Sequence, residues 1–341
     1  MTNTTKHNTP FFSVIIPVYN GISHNLPQCL NSIWHQPIDT NLYEVICIDD
    51  CSTADTRNWL IKQSKTHPNL KVLYNKVNIR QGGGRNRGIK EACGKYIVFI
   101  DQDDYFHKDS LRILVDELKS EIDLDVFVSD SAYQFHNHES NKLQLNFSFK
   151  ERTTPTEFCK HNGIVFAPWR MCLRRIFLLK NKIFFTEHCR IEDVDWACKV
   201  FYYAQSIKYR PFILVHYNKG ESGQTDNMYR NMDTLMANTI AGNRTLNLAN
   251  DLFAAHPLCT LVRNVADTYY NYSCRYLFGS FKALKTKVKI IKTIQVNKSN
   301  YRLVNFAINN PYIFSIITNI SVPIFRIARY IRRKRMARKC V

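Results

Sequence analysis

The sequence predicts an α/β fold: a Rossmann-like, mostly parallel sheet with helices on both faces, followed by a helical C-terminal extension. Three observations carry this. Short apolar runs without polar alternation, at residues 13–18, 44–48 and 96–100, read as strands buried on both faces. Between them apolar residues recur at helical spacing, as at Leu26, Cys29, Leu30 and Ile33. The runs end in turns rich in Asn, Asp and Gly, and in a parallel sheet such turns share the edge where open α/β sheets bind ligands.

The first strand, residues 13–18, breaks at Pro17 and turns at Asn20-Gly21. One helix later, residues 44–48 form a second strand that ends in Asp49-Asp50-Cys51-Ser52, which completes a βαβ unit. A helix with Trp59, Leu60 and Ile61 precedes a short third strand at 71–74. Residues 81–88, QGGGRNRG, read as a loop before a helix over 89–93. Its glycines permit close backbone approach to a ligand, and Arg85 and Arg87 suit phosphate. The alternative is a flexible loop before a solvated helix face. The segment fits neither G-x-G-x-x-G nor G-x-x-x-x-G-K-[ST].

The strand at 96–100 runs directly into Asp101, Asp103 and Asp104. Carboxylates this close repel and raise one another's pKa. A divalent cation removes that cost, and Mg²⁺ or Mn²⁺ prefers oxygen ligands. The alternative is an acidic turn that caps the helix beginning near Asp109 or Ser110, whose inner face is Leu111, Leu114, Val115 and Leu118. Residues 125–129 form the next strand, 131–160 are polar and aperiodic, and 209–217 are again strand-like. Beyond about 226 the chain reads as helices, and its last forty residues set apolar stretches beside a dense Arg/Lys cluster. That pairing suits the surface of an anionic membrane, or a packed helix with a solvated tail.

The chain has 341 residues, 45% of them hydrophobic and 22% charged, enough for a large packed core. A net charge of +19 favours anionic partners. Eleven cysteines at irregular spacings, with no C-x-x-C pair, suggest reduced thiols in a cytosolic protein and argue against a disulfide framework or zinc site. The opening MTNTTKHNTP is polar, so no secretory leader is expected, and no run of eighteen apolar residues marks a membrane span.

Four segments, SVIIPVYN, VICIDDCSTADT, GGGRNRG and YIVFIDQDD, in this order and spacing, resemble the family 2 glycosyltransferases of the GT-A fold, over roughly residues 11–220. The resemblance implies inverting transfer of a sugar from a nucleotide-sugar, with uridine as the base, to a glycan or lipid-linked hydroxyl in bacterial surface polysaccharide synthesis. Its DxD motif maps onto Asp101-Gln102-Asp103, with Asp103 as ligand to Mn²⁺ or Mg²⁺ and Asp101 toward the nucleoside. Nucleobase contacts map onto Pro17, Tyr19 and Asp50, and Arg85 falls near the nucleotide. An "ED" dipeptide maps onto Glu192-Asp193, which makes Asp193 the catalytic base at the start of a helix. Asp195 lies further along that helix. Trp169 and Tyr217 fall where acceptor contacts are expected, and Asn218 stands where such enzymes often have arginine, with Lys219 beside it as the substitute.

Each assignment has a structural alternative. Asp50 suits a helix N-cap, Tyr19 and Trp169 suit a core, and Glu192, Asp193 and Asp195 suit the positive end of a helix. The implied organisation is a catalytic domain over 11–225, with a nucleotide-sugar half (11–130) and an acceptor half (131–225). A helical region over 226–341 follows, attached to the inner face of the cell membrane by its tail. Two other functions also fit parts of the chain. A metal-dependent nucleotidyltransferase would use the strand-end carboxylates but has no role for Glu192-Asp193. A nucleic-acid-binding protein would explain the charge, yet the densest basic cluster is at the extreme C-terminus and the ligand edge is acidic, so no nucleic-acid partner is expected.

Overall fold

A computed structural model describes residues 9–135, 138–143, 152–218, 232–277 and 284–319. The chain divides into two compact units, residues 1–221 and 222–341. The first is built on a nine-stranded sheet: β1 (Phe12–Val18), β2 (Tyr43–Asp49), β3 (Leu70–Tyr74), β4 (Tyr96–Phe99), β5 (Tyr105–Phe106), β6 (Val126–Phe135), β7 (His138–Leu143), β8 (Met171–Arg174) and β9 (Ile207–Asn218). The strand order is β3-β2-β1-β4-β8-β6-β9-β5, with β7 added to β6. β3, β2, β1 and β4 are parallel neighbours, as are β6 and β9, while β8 runs antiparallel between β4 and β6.

Register decides where the ligand edge lies. β1 pairs with β2 from Phe12↔Tyr43 to Val18↔Asp49, and with β4 from Phe12↔Tyr96 to Ile15↔Phe99. The turns after Val18, Asp49 and Phe99 therefore leave the sheet on the same side. Alternating residues of β1 serve the two faces. Phe12, Val14, Ile16 and Val18 join one core cluster with Leu26, Leu30 and Ile33 of α1 (Leu26–Trp34) and Leu111, Leu114 and Leu118 of α4 (Ser110–Leu118). The opposite face carries Ile15 and Ile48 against α3 (Arg80–Glu91), and Phe99 edge-on to Phe185 and Trp196. Between α1 and α3 in the chain lies α2 (Ala54–Thr66).

Two expectations are corrected. Pro17 does not break the first strand, which continues to Val18. Ile15 O accepts from Ile100 N on the β4 side, whereas Val18 O accepts from Asp50 N on the β2 side. The missing N–H of Pro17 therefore faces β4, which has ended at Phe99, and no ladder bond is lost. The glycine-rich segment is not a loop: α3 begins at Arg80 and contains Gly82, Gly83 and Gly84, all buried. Glycine is a poor helix former, and close packing against β1 and β2 overrides that propensity. The polar stretch after residue 130 is partly strand: β6 runs to Phe135 and pairs with β7. Lys142 and Ala132 are partners in that hairpin, so pairing along an existing strand substitutes for apolar periodicity.

Further along, α5 (Pro155–Asn162), α6 (Arg175–Lys180) and α7 (Asp193–Tyr203) complete the first unit. The second unit is helical: α8 (Met232–Asp251), α9 (Cys259–Leu277), α10 (Leu284–Thr293), α11 (Arg302–Asn309) and α12 over 311–319. Its core gathers Leu235, Tyr270, Cys274, Ile290, Ile291, Val304 and Phe314. Lys287 is fully buried there, and its ammonium donates to Leu277 O and Thr318 Oγ1, each at 2.9 Å.

Gly88 measures how tightly α3 is seated. A Cβ there would lie 2.5 Å from Ile15 Cγ2. Helix propensity alone would make Gly88→Ala stabilising by about 1 kcal/mol. Overpacking against a β-branched core residue costs about 1–3 kcal/mol and reverses the sign. Urea denaturation should show Gly88→Ala less stable than the parent.

Candidate active site

The three strand-end turns are bonded to one another. Tyr19 N donates to Gln102 Oε1 and Gln102 Nε2 donates back to Tyr19 O, both at 2.9 Å, which ties the turn after β1 to the acidic turn after β4. Asn20 N donates to Ser52 Oγ (2.9 Å) and Thr53 N donates to Asn20 Oδ1 (3.0 Å), which ties it to the turn after β2. Asn20 and Cys51 take left-handed backbone conformations to make these turns.

Within this edge Pro17 is buried in β1, whereas Tyr19 is 49% exposed and so is not a core residue. Asp50 is buried, and its Oδ1 accepts from Asn75 Nδ2 and Ile79 N, both at 2.8 Å. It does not cap α2, whose N-cap is Thr53. Arg57 Nε donates to the neighbouring Asp49 at 2.9 Å.

The centre of the arrangement is Arg85, 3% exposed on α3. Its Nη2 donates to Asp101 Oδ1 and its Nη1 to Glu192 Oε1, each at 2.6 Å. The guanidinium carbon also sits 5.3 Å from the centroid of the Phe185 ring. Sequence reasoning placed Arg85 beside the nucleotide. The structure places it between the acidic turn and the Glu192-Asp193 pair, with both ends of its fork engaged. Two neighbours on α3 bring the second carboxylate within reach. Asn86 exchanges hydrogen bonds with the backbone of Phe185 (2.8 and 2.9 Å) and donates to Glu187 Oε1. Gly82 has no Cβ where one would lie 2.6 Å from Thr186 O and 3.0 Å from Glu192 Cγ.

Asp193 opens α7, with Glu192 at the N-cap. Burial and the Glu192 charge push the Asp193 carboxyl up to about 7, against a smaller opposing pull from Arg85. Ile191, immediately before this pair, has φ 59°, a left-handed conformation that is strained for a β-branched residue. Asp195 is separate from this group: it accepts from Thr186 Oγ1 at 2.7 Å.

In the acidic turn, burial and the Asp101 charge push Asp103 up to about 6. Asp104 is buried and does not cap α4, which begins only at Ser110. Its Oδ1 accepts from Asn218 N at 2.9 Å, its Oδ2 is buried without a hydrogen-bond partner, and burial beside Asp103 raises its pKa strongly. Tyr217, next to Asn218, stacks on Trp169 at 5.5 Å between centroids, and Trp169 packs partly buried against the core. Close by, His107 Nδ1 and His216 Nε2 lie 2.7 Å apart and Tyr105 stacks on His216. Sequence reasoning missed this pair because only the β5–β9 register, Tyr105↔His216, brings it together. It likewise missed Asn86, whose signal was its place inside the glycine-rich motif. Lys219 and the loop after it lie outside the described residues.

The donor set fits a divalent cation in a restricted sense. Among the described residues no three His, Cys, Asp or Glu side chains converge as metal ligands. The described residues therefore offer carboxylate oxygen rather than a full cage, which suits an ion that takes its remaining ligands from phosphate and water. The elevated Asp103 and the unpartnered Asp104 Oδ2 are the groups whose electrostatics such an ion would relieve.

A mostly parallel sheet with helices on both faces, followed by a helical C-terminal region, is the GT-A fold of glycosyltransferases. Residues 13–181 match the model of glycosyl transferase family 2, and the chain belongs to that family. It is 29% identical over 210 residues to poly(ribitol-phosphate) beta-N-acetylglucosaminyltransferase TarS of Staphylococcus aureus, covering 58% of this chain and 33% of TarS. It is 39% identical over 100 residues to poly(ribitol-phosphate) beta-glucosyltransferase of Bacillus spizizenii, covering 29% of this chain and 16% of that one. The chain thus spans a third or less of the length of these relatives. Among solved structures, S. aureus TarS 1-349 in complex with UDP-GlcNAc superposes with a TM-score of 0.64 at 21% identity, covering 93% of this chain and 92% of that one. Mannosyltransferase PcManGT from Pyrobaculum calidifontis, in complex with GDP-Man and Mn²⁺, gives 0.54 at 15% identity, covering 91% and 87%. Both likenesses establish the fold. Membership of this family replaces the nucleotidyl-transfer and nucleic-acid-binding alternatives.

Two predictions rest on this geometry. Arg85→Met leaves two carboxylates without their buried cation and should cost about 3–5 kcal/mol in urea denaturation at pH 8. Arg85→Lys, which cannot bridge both partners, should fall between that variant and the parent. For Asp193 the folded state holds its proton up to about pH 7, above the unfolded value near 3.8. Stability therefore falls as pH rises between these values. Asp193→Asn should melt at a higher temperature than the parent at pH 8, and the advantage should shrink toward pH 4.

Proposed function

We propose that the chain transfers a sugar from a uridine-diphosphate sugar, with inversion, to a hydroxyl of a glycan or lipid-linked acceptor during synthesis of a bacterial surface polymer. The observation that carries this is the Arg85 bridge, which holds donor-side Asp101 and the Glu192 beside Asp193 on one side chain. Support for the donor comes from the fold shared with the TarS complex with UDP-GlcNAc. Support for the acceptor comes from two relatives named as poly(ribitol-phosphate) transferases, so a polyol-phosphate chain falls within the proposed class.

The half-exposed ring of Tyr19 stacks on the base, with Pro17 beneath. Asp50 Oδ1 is committed to Asn75 and Ile79, so its other oxygen accepts the uracil N3–H. Asp101, fixed by Arg85, faces the nucleoside. Asp103 would hold Mn²⁺ or Mg²⁺, which would supply neutralisation of the charge that develops on the leaving diphosphate. On the opposite side of the sugar, Asp193 takes the proton of the acceptor hydroxyl as its oxygen attacks the anomeric carbon. A carboxylate near pKa 7 suits that task at neutral pH. Glu192 positions it, and the stacked Trp169–Tyr217 pair borders the acceptor. The catalytic domain is taken as 11–225 and the helical region as 226–341. The chain works in the cytoplasm, peripheral to the cell membrane through its basic tail, of which residues 320–341 lie outside the described residues.

A panel of nucleotide-sugars with Mn²⁺, scored for UDP release with and without acceptor, tests the reaction. Pyrophosphate release in place of UDP would overturn it. Asp103→Asn should lose metal-dependent donor binding. Asp193→Asn should keep donor binding while transfer falls by about 10²–10⁴. Transfer should also decline tenfold per pH unit below about pH 7, as Asp193 takes up its proton. Normal turnover in Asp193→Asn would remove it as the base.

A further inference from the structure

From residue 268 to residue 341 the chain contains sixteen lysines and arginines and no aspartate or glutamate. Nearly all of the +19 net charge therefore belongs to this stretch. Half of those basic residues precede 320, within or beside the helices of the second unit.

On α10, Lys285, Lys289 and Lys292 are exposed at i, i+4 and i+7, which places them on one helix face. None of the three meets a carboxylate among the described residues. They line an open depression of about 550 Å³ with Val288, Thr293 and Tyr312. Lys292 Nζ lies 5.2 Å from the centroid of the Tyr312 ring, which joins the lysine face to α12.

α12 turns an apolar face outward. Tyr312, Ile313, Ile316 and Ile317 are 55%, 53%, 48% and 41% exposed, while Phe314, Ser315 and Thr318 on its other side are buried. The hydrogen bond from buried Lys287 to Thr318 Oγ1 fixes the rotation of α12, so the isoleucines do not turn inward. Four adjacent large apolar side chains on one face are a patch with a partner, not scatter.

We infer that the lysine face of α10 and the isoleucine face of α12 together form a platform that seats the folded helical unit on an anionic lipid surface. Charge and apolarity select this occupant jointly. A phosphate polymer would satisfy the lysines but offers nothing to bury the isoleucines. A second copy of the chain would bury the isoleucines but bring like charge against like charge. An anionic bilayer interface meets both needs, with headgroups for the lysines and the acyl boundary for the isoleucines. The inference rests on the proposed membrane attachment, but assigns the contact to a folded surface distinct from the tail beyond residue 319.

The test uses the full-length chain and vesicles of phosphatidylcholine with or without phosphatidylglycerol. The parent should sediment with the anionic vesicles only. A triple variant, Lys285→Gln, Lys289→Gln and Lys292→Gln, should bind them about a hundredfold more weakly, at roughly a factor of five per lysine. Ile313→Ser with Ile316→Ser should also weaken binding, and both variants should keep the parent's melting temperature and its UDP release in solution. Ile316→Trp should show a blue-shifted indole emission with phosphatidylglycerol vesicles but not with soluble polyphosphate. If neutralising Arg332, Arg333, Lys334 and Arg335 abolishes binding while the platform variants bind like the parent, the platform is overturned and the tail alone attaches the protein. A parent that ignores vesicles overturns both readings. The platform is also overturned if Ile313→Ser with Ile316→Ser converts a dimer to a monomer, or if the isoleucine variants bind vesicles unchanged while the lysine variant alone loses polyphosphate.

Discussion

Arg85 is the constraint on which the catalytic unit depends. One buried guanidinium joins a carboxylate at the end of β4 to a carboxylate at the start of α7, residues that are 91 apart in sequence, from 101 to 192. Burying a single cation this deeply is unfavourable, and burying two carboxylates in its place would be worse. Together they are tolerated because the planar fork can donate to both partners at once. The same bridge holds the end of β4 and the start of α7 at a fixed separation, which the proposed reaction would use for orientation.

Around that bridge the site is not at an energy minimum of its own. Asp193 is held near pKa 7 by burial beside Glu192, and Ile191 is held in a left-handed conformation one residue ahead of the pair. Both features cost stability, and both are offset by Asn86 gripping Phe185 and by the aromatic stack of Phe185 on Trp196 at 4.2 Å. Local strain at a functional turn, supported by ordinary packing nearby, is the usual division of labour in enzymes.

The sheet was legible in the sequence because β1, β2 and β4 are buried on both faces and so read as unbroken apolar runs. The three strand-end turns followed from them, and the start of α7 at Asp193 came from the resemblance of its Glu-Asp pair. What was not legible depended on tertiary contact. The glycines of α3 look like a loop until β1 and β2 pack against Gly84 and Gly88, and Thr186 and Glu192 against Gly82. Arg85 looks like a phosphate ligand until Glu192 is brought beside it. Asp104 looks like a cap until Asn218 arrives from β9. The His107–His216 contact has no local signal at all, since it exists only through strand register. The β6–β7 hairpin was hidden because partnering with a long strand, not side-chain alternation, defines β7.

The glycine run of α3 has a consequence for the order of folding. Three consecutive glycines within twelve residues leave this helix without stability as an isolated segment, since each costs about 1 kcal/mol relative to alanine. It can persist only once β1 and β2 offer Ile15 and Ile48 as a surface. The side chain that joins Asp101 to Glu192 is therefore carried by an element that forms after its neighbours. Competence for chemistry becomes a late event on the folding pathway, and a chain with a completed sheet but an undocked α3 would be compact yet inactive.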